Sequence, residues 1–367
     1  MKKLKVIISG GGTGGHIFPA IAIAKAIEQK VDNVEFLFVG AKDRMEIEKV
    51  PAAGYKIKGL WISGLQRKLS SRNLLFPFKV LHSIFKAKQI IKQFNPDIAI
   101  GTGGYASGPL LFAASRRGIP SLIQEQNSYP GITNKILSKY VQKVCVAYDN
   151  MERFFPKEKM ILTGNPIRQD ILGFQSKIQA GEELFLIEKN KPTVLVVGGS
   201  LGAKSINNAI AEKLNLFKEK DINLIWQTGI SFQEKAQNKI KDINTKGINA
   251  FTFIKEMDLA YAIADVIISR AGAIAISELC CVGKSVILVP SPNVSENHQY
   301  KNAQSLVNKN AALLVEDSQA SCKLVDSLLD LLENKDIQKE LGSNIQKIAV
   351  KDAAIQIADI AIGLIKK

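Results

Sequence analysis

The sequence predicts an α/β protein built on two doubly wound parallel sheets, and three observations lead there. Short apolar runs alternate with helical patterns along most of the chain. Two of those runs end in nearly side-chain-free turns that open a helix. One is Ile7-Ile8-Ser9-Gly10-Gly11-Gly12-Thr13-Gly14-Gly15-His16, and the other is Val196-Val197-Gly198-Gly199-Ser200-Leu201-Gly202. The chain also has 367 residues, 46% of them hydrophobic, enough for two cores of ordinary size.

Taken in order, residues 6–9 read as a buried strand. Ile17, Ala20, Ile21, Ala24 and Ile27 then give a helical stripe, with the helix over 19–28. A second strand covers 34–39. A helix over 77–94 places Val80, Ile84, Ala87, Ile91 and Phe94 on one face. Further strands are expected at 97–100, 120–123 and 143–146. Thr163-Gly164-Asn165-Pro166 is dense in turn residues and marks a hinge. A second round begins with a strand over 193–197 and a helix from Ala203. Strands at 223–227, 250–253, 266–269 and 285–289 follow, and terminal helices run from about 340 to 367.

Composition narrows the chemistry. The net charge of +15 calls for acidic partners. Three histidines exclude a histidine-rich metal site. The four cysteines form no C-x-x-C pair, as expected of a reduced protein. No signal peptide is expected after Met1-Lys2-Lys3, and no apolar run reaches the length of a membrane span.

The first glycine turn offers backbone N–H groups and a partial positive charge to an anion. Gly10, Gly12 and Gly15 also satisfy G-x-G-x-x-G, a pattern shared by many phosphate binders. A dinucleotide enzyme carries an acid at the end of its second strand. Here that strand ends Val39-Gly40-Ala41, with Asp43 displaced. Gly101-Thr102-Gly103-Gly104-Tyr105 is a second bare loop on the same sheet edge, either a neighbouring phosphate site or a tight turn. Arg270-Ala271-Gly272-Ala273 opens another helix, with Glu278 farther along it placed to accept ribose hydroxyls or to favour the helix dipole.

Residues 49–96 hold ten basic residues and no acid. Trp61, Phe78, Leu81 and Phe85 are interleaved with that charge, beyond what one core-facing stripe uses. An anionic bilayer surface suits them; nucleic acid and a solvated basic face are the other readings, and no nucleic-acid motif accompanies the charge.

Together the motifs resemble the family of peptidoglycan N-acetylglucosaminyltransferases that make lipid II. The resemblance rests on Gly11-Gly12-Thr13-Gly14-Gly15-His16, Gly103-Gly104-Tyr105, Glu125-Gln126-Asn127, Gly164-Asn165-Pro166-Ile167-Arg168, Gly198-Gly199-Ser200, Arg270-Ala271-Gly272-Ala273, Ser277-Glu278, and His298-Gln299 with Asn302-Ala303. It implies a GT-B fold: two Rossmann-like domains facing across a cleft, over 1–165 and 166–345, with a helix over 346–367 returning to the first. It implies inverting transfer of N-acetylglucosamine from UDP-N-acetylglucosamine to the 4-hydroxyl of undecaprenyl-linked lipid I. The donor contacts it implies are Thr13, Gly14, Gly15, Asn127, Arg168, Ser200, Ile254, Ala273, Ile274, Ala275, Ile276, Ser277, Glu278 and Gln299. Gly11, Gly12, Gly103, Gly104 and Tyr105 would meet the acceptor pyrophosphate. The 61–94 region would match a membrane patch at the cytoplasmic face of the inner membrane, where other cell-wall synthesis proteins would be candidate partners. Leu201 stands where the family often has Gln, and Ala275 where a hydroxyl is common.

The attacking hydroxyl needs a base. His16 and Glu125 are the candidates, and His16 can equally serve only to hydrogen-bond its loop. No metal or cofactor is required, since helix N-termini and Arg168 can meet the leaving-group charge; a divalent cation held by substrate phosphates is compatible with this. Two other function classes stand beside the transferase. A nicotinamide-dependent dehydrogenase accounts for the first glycine loop alone. A non-catalytic basic module accounts for the charge alone.

Overall fold

The computed structural model describes residues 3–64, 75–199, 201–294 and 297–365. The chain divides into two compact units, one of Met1–Ile167 with Asp352–Lys367 and the other of Arg168–Lys351.

The first unit carries a seven-stranded parallel sheet. Its strands are β1 (Leu4–Ser9), β2 (Val34–Ala41), β3 (Ile57–Leu60), β4 (Ile98–Gly101), β5 (Ser121–Glu125), β6 (Lys143–Val146) and β7 (Met160–Leu162). They lie in the order β3-β2-β1-β4-β5-β6-β7. The second unit's sheet has six strands: β8 (Thr193–Val197), β9 (Asn223–Gln227), β10 (Ile248–Phe251), β11 (Val266–Ser269), β12 (Ser285–Leu288) and β13 (Leu313–Leu314). Their order is β10-β9-β8-β11-β12-β13, and all pairings are parallel. Each sheet therefore reverses its winding at one place, between β1 and β4 and between β8 and β11. In open α/β sheets ligands bind at that reversal, beyond the carboxyl ends of the strands.

The central strands are continuous apolar runs because helices cover both of their faces. Val6, Ile8, Ile98 and Ile100 are buried on one side of the first sheet with Ile17, Ala20, Ile23 and Ile27 of the helix Gly14–Glu28. Ala354, Ile357, Ala358 and Ala361 of the last helix, Ala353–Ile365, complete that layer. The other side packs against the helices Phe76–Phe94 and Ser107–Ser115.

Expected strands and helices coincide with observed ones in the sheet centres and differ at the margins. β3, β7 and β13 had no counterpart in the sequence reading, and all three are edge strands of two to four residues. β10, at another edge, starts two residues earlier than the expected 250–253. Edge strands are half exposed and need no continuous apolar run, so hydrophobicity alone does not mark them.

Candidate active site

In the first unit, register brings the two bare loops together. Ser9 of β1 pairs with Gly101 of β4, so the turns that leave these strands start side by side. Thr102 donates its N–H to Ser9 O at 2.8 Å and its hydroxyl to His16 O at 2.8 Å. Ser107 Oγ lies 2.8 Å from Ser9 O and 2.7 Å from Gly103 O. Gly104, with φ +86°, approaches so closely that a Cβ there would lie 2.3 Å from Gly11 O. Here the absence of a side chain allows loop-to-loop contact.

His16 sits where these loops meet, half buried. Its Nδ1 lies 3.0 Å from Gly11 O and 3.3 Å from Thr13 Oγ1. A carbonyl only accepts, so Nδ1 carries the hydrogen and the basic lone pair of the neutral ring falls on Nε2. The ring lies against Gly103, where a Cβ would meet Cδ2 at 2.7 Å.

The sequence reading missed Glu46. It is fully buried at the head of the helix Glu46–Ala52. Its Oε2 accepts from Gly12 N–H and its Oε1 from Ala41 N–H, each at 2.9 Å. The Gly12 N–H, expected at the acceptor pyrophosphate, is directed to an internal carboxylate in this structure. The Gly11 carbonyl likewise turns to His16. At the start of the helix Gly14–Glu28, Thr13 makes no side-chain cap and the first N–H groups have no partner within the helix, the arrangement that suits an anion. The signal for Glu46 was an acid just past the second strand. In a dinucleotide enzyme that acid meets a ribose; here it is spent on the glycine loop.

Glu125, at the end of β5, is 2% exposed. One oxygen accepts from the Asn127 N–H and Nδ2, the other from the Gly131 N–H and from Asn134 Nδ2 at 2.9 Å. Burial raises its pKa, and these four donors oppose the rise. A carboxylate so enclosed braces the 125–131 loop. Gln124, Gln126 and Asn165 form a buried amide chain from β5 to the 163–167 segment. Tyr105 is exposed, its ring covering Gly64.

In the second unit, Val197 of β8 pairs with Ser269 of β11, which aligns the 198–202 turn with the turn into the helix Ala273–Val282. Ser200 lies outside the described residues. The helix starts at Gly272 without a side-chain cap, leaving its first N–H groups to solvent or a ligand. Arg270 holds that turn in place: its guanidinium donates to Val289 O at 3.0 Å and pairs with Asp317 at 2.5 Å. Ala273 and Ile274 are buried, and Ile276 is in the core, so these can offer a ligand only backbone; Ala275 and Ser277 are half buried. The Ser277 hydroxyl donates to Ala273 O at 3.0 Å.

Two expected donor contacts touch each other. Arg168 Nε lies 3.3 Å from Glu278 Oε1, and Tyr261 Oη lies 3.4 Å from Glu278 Oε2. Burial raises the Glu278 pKa, against the pull of Arg168. Burial alone would lower the Arg168 pKa, but Glu278 and Asp170 carry it upward. Ile254 donates its N–H to Gln227 Oε1 at 2.9 Å, so any base reading there falls to its carbonyl. Gln299 Oε1 accepts from the Ser291 N–H at 2.9 Å. Thr13, Gly14, Gly15 and Asn127 belong to the first unit, and the other donor residues to the second. The four cysteines are free, and burial pushes the thiols of Cys145 and Cys280 up to about 12, which leaves them inert.

Comparison with known proteins decides the family. Residues 6–146 match the glycosyltransferase family 28 N-terminal domain, and residues 193–357 match its C-terminal domain. The chain belongs to glycosyltransferase family 28. Two family 28 relatives carry the name UDP-N-acetylglucosamine--N-acetylmuramyl-(pentapeptide) pyrophosphoryl-undecaprenol N-acetylglucosamine transferase. The one from Cytophaga hutchinsonii is 53% identical across 99% of this chain and 98% of its own length. The one from Flavobacterium psychrophilum is 50% identical across 100% and 99%. The crystal structure of Acinetobacter baumannii MurG superimposes with a TM-score of 0.76 at 30% identity, covering 99% of this chain and all of that one.

Proposed function

We propose that this family 28 chain transfers N-acetylglucosamine from UDP-N-acetylglucosamine to the 4-hydroxyl of undecaprenyl-pyrophosphoryl-MurNAc-pentapeptide, turning lipid I into lipid II in peptidoglycan synthesis. The observation that carries this reading is identity of about half, over full length, to transferases of that name. The geometry of each unit is suited to its share. In the second unit the uncapped helix start at Gly272 would take the diphosphate, Glu278 the ribose hydroxyls, the Ile254 carbonyl the uracil edge and Gln299 the sugar. Arg168 would leave Glu278 for the donor's negative charge. In the first unit the start of the helix Gly14–Glu28 would take a phosphate, and Asn127 would help hold the transferred sugar.

The step is a single displacement. The acceptor O4 bonds to the anomeric carbon as the bond from that carbon to the diphosphate oxygen breaks. UDP leaves with the electron pair, and the hydroxyl proton goes to His16 Nε2. Attack opposite the leaving group turns an α donor into a β linkage. Helix N–H groups and Arg168 meet the charge on UDP, so the reaction needs no resident metal. A cation arriving on substrate phosphates would add to that stabilisation.

The acceptor is carried by a lipid, and no helix among the described residues is long and apolar enough to cross a membrane. The helix Phe76–Phe94 instead exposes Phe78 (66%), Leu81 (66%) and Phe85 (62%) in one stripe, beside the half-exposed Trp61. Lys79 lies 5.5 Å over the Trp61 ring. Such a stripe, set in basic surroundings, fits peripheral attachment to anionic lipid at the cytoplasmic face of the membrane. Arg67, Lys68 and Arg72 of the basic tract lie outside the described residues.

The deciding assay uses labelled UDP-N-acetylglucosamine with a soluble lipid I analogue, and other UDP-sugars as controls. A labelled β-linked disaccharide is the expected product. No transfer by folded protein, or equal transfer from every UDP-sugar, would overturn the proposal.

A further inference from the structure

The Gly11–Gly12 peptide group is gripped from both sides. In a trans peptide the C=O and the N–H point in opposite directions, and the described chain contains no cis bond. On one side the Gly12 N–H donates to Glu46 Oε2 at 2.9 Å. On the other the Gly11 carbonyl accepts from His16 Nδ1 at 3.0 Å. The second Glu46 oxygen accepts from Ala41 at 2.9 Å, which ties the carboxylate to the end of β2. The backbone has been cleared for it: a Cβ on Gly11 would lie 2.2 Å from Oε1, and one on Gly40 2.4 Å from Cγ.

A buried carboxylate is costly unless hydrogen-bonded, and a neutral side chain would fill the same space at lower cost. What the carboxylate adds is charge. Accepting from the N–H of a peptide polarises that peptide and strengthens its carbonyl as an acceptor. The carbonyl so strengthened is the one that holds the His16 ring.

We infer that Glu46 is a positioning residue for His16, acting through the Gly11–Gly12 peptide plane. It fixes which way the plane faces, and so which ring nitrogen carries hydrogen and which holds the lone pair. The catalytic meaning of this rests on His16 being the proton acceptor proposed above; the structural relay does not.

The test uses full-length protein with ¹⁵N-labelled histidine. The chain has three histidines, so the ring signals can be told apart, with His16→Gln giving the assignment. Wild type should show a single Nδ1–H tautomer at His16. Glu46→Ala should show mixed tautomers and lose about tenfold or more in kcat, with the donor KM within about twofold, and Glu46→Gln should fall between. Variants that keep the wild-type tautomer would overturn the inference. Should neither variant fold, wild type alone decides: the Gly12 amide proton should shift as the His16 ring is protonated, with the same midpoint. A Gly12 amide that stays still through that titration would overturn the relay. If tautomers follow Glu46 while His16→Gln retains full kcat, the relay stands and the base assignment fails.

Discussion

His16 and Glu278 carry opposite lessons about a titratable side chain in a fold. His16 is held by its Nδ1, which suits its other nitrogen to the proposed role of proton acceptor. His16→Ala is therefore expected to lower kcat by about 10²–10⁴-fold while donor affinity changes little, as steady-state kinetics with the soluble acceptor would show. Glu278 is held at a cost. Burial raises its pKa above the value it has in an unfolded chain. Its contribution to stability is thus full below the ordinary carboxylate pKa, and is lost as pH rises through the raised one. Glu278→Gln should match wild type in thermal unfolding at low pH and become the more stable protein as pH approaches neutrality. With Glu278 as the proposed acceptor for the ribose hydroxyls, the same variant should raise the donor KM by about tenfold or more, because the charge on that acceptor is gone. Most of these side chains were legible because they sit beside local signals, a bare turn or a strand end. Glu46 was not. It works on a residue 34 positions away, and neither its spacing nor its neighbours announce that its carboxylate turns back onto the first loop. Hidden in the same way were the burial of Ile276 and the commitment of the Ile254 N–H to Gln227.

At the level of elements, the helix Phe76–Phe94 is the most informative. Its 19 residues span roughly 28 Å, whereas the four residues of the next strand span roughly 13 Å. Its buried residues are Ser83, Ala87, Ile90 and Ile91, none of them in the first two turns. A helix that returns toward β4 starts at the carboxyl edge of the sheet. Its leading turns therefore lie toward the edge that carries the glycine loops. The apolar period had placed Val80, Ile84, Ala87, Ile91 and Phe94 on one face, and of these Ala87 and Ile91 are fully buried. Phe78, Leu81 and Phe85 fall outside that face and stay exposed. Replacing all three by serine should cut binding to anionic vesicles by tenfold or more, since each apolar side chain transferred from water is worth about 1.5–3 kcal/mol. Transfer to a soluble acceptor should be nearly unchanged, and raised salt should weaken the remaining binding. Unaltered vesicle binding at matched ionic strength would remove the stripe from membrane attachment. The sequence exposed this helix well because its pattern is long and periodic. It exposed β3, β7 and β13 poorly because short edge strands have no pattern to show.

At the scale of the whole molecule, the chain leaves its first unit at residue 167 and comes back to it at residue 352. The returning helix is no appendage. Ile357 is fully buried against the helix Gly14–Glu28, within the core of the first unit. Ile357→Ala should cost that unit about 2–5 kcal/mol. Removing residues 352–367 should abolish its cooperative unfolding transition while UDP binding by the second unit survives, a pattern that calorimetry with and without UDP would reveal.

The same route through the molecule sets an order of events during synthesis. Every residue of the second unit is translated before the last helix of the first. Until the segment 353–365 clears the ribosome, the core layer that Ala354, Ile357, Ala358 and Ala361 complete lacks them. The half begun first is thus the half finished last, and a nascent chain paused just short of its final turns would present a mature second unit joined to an open, chaperone-ready first one.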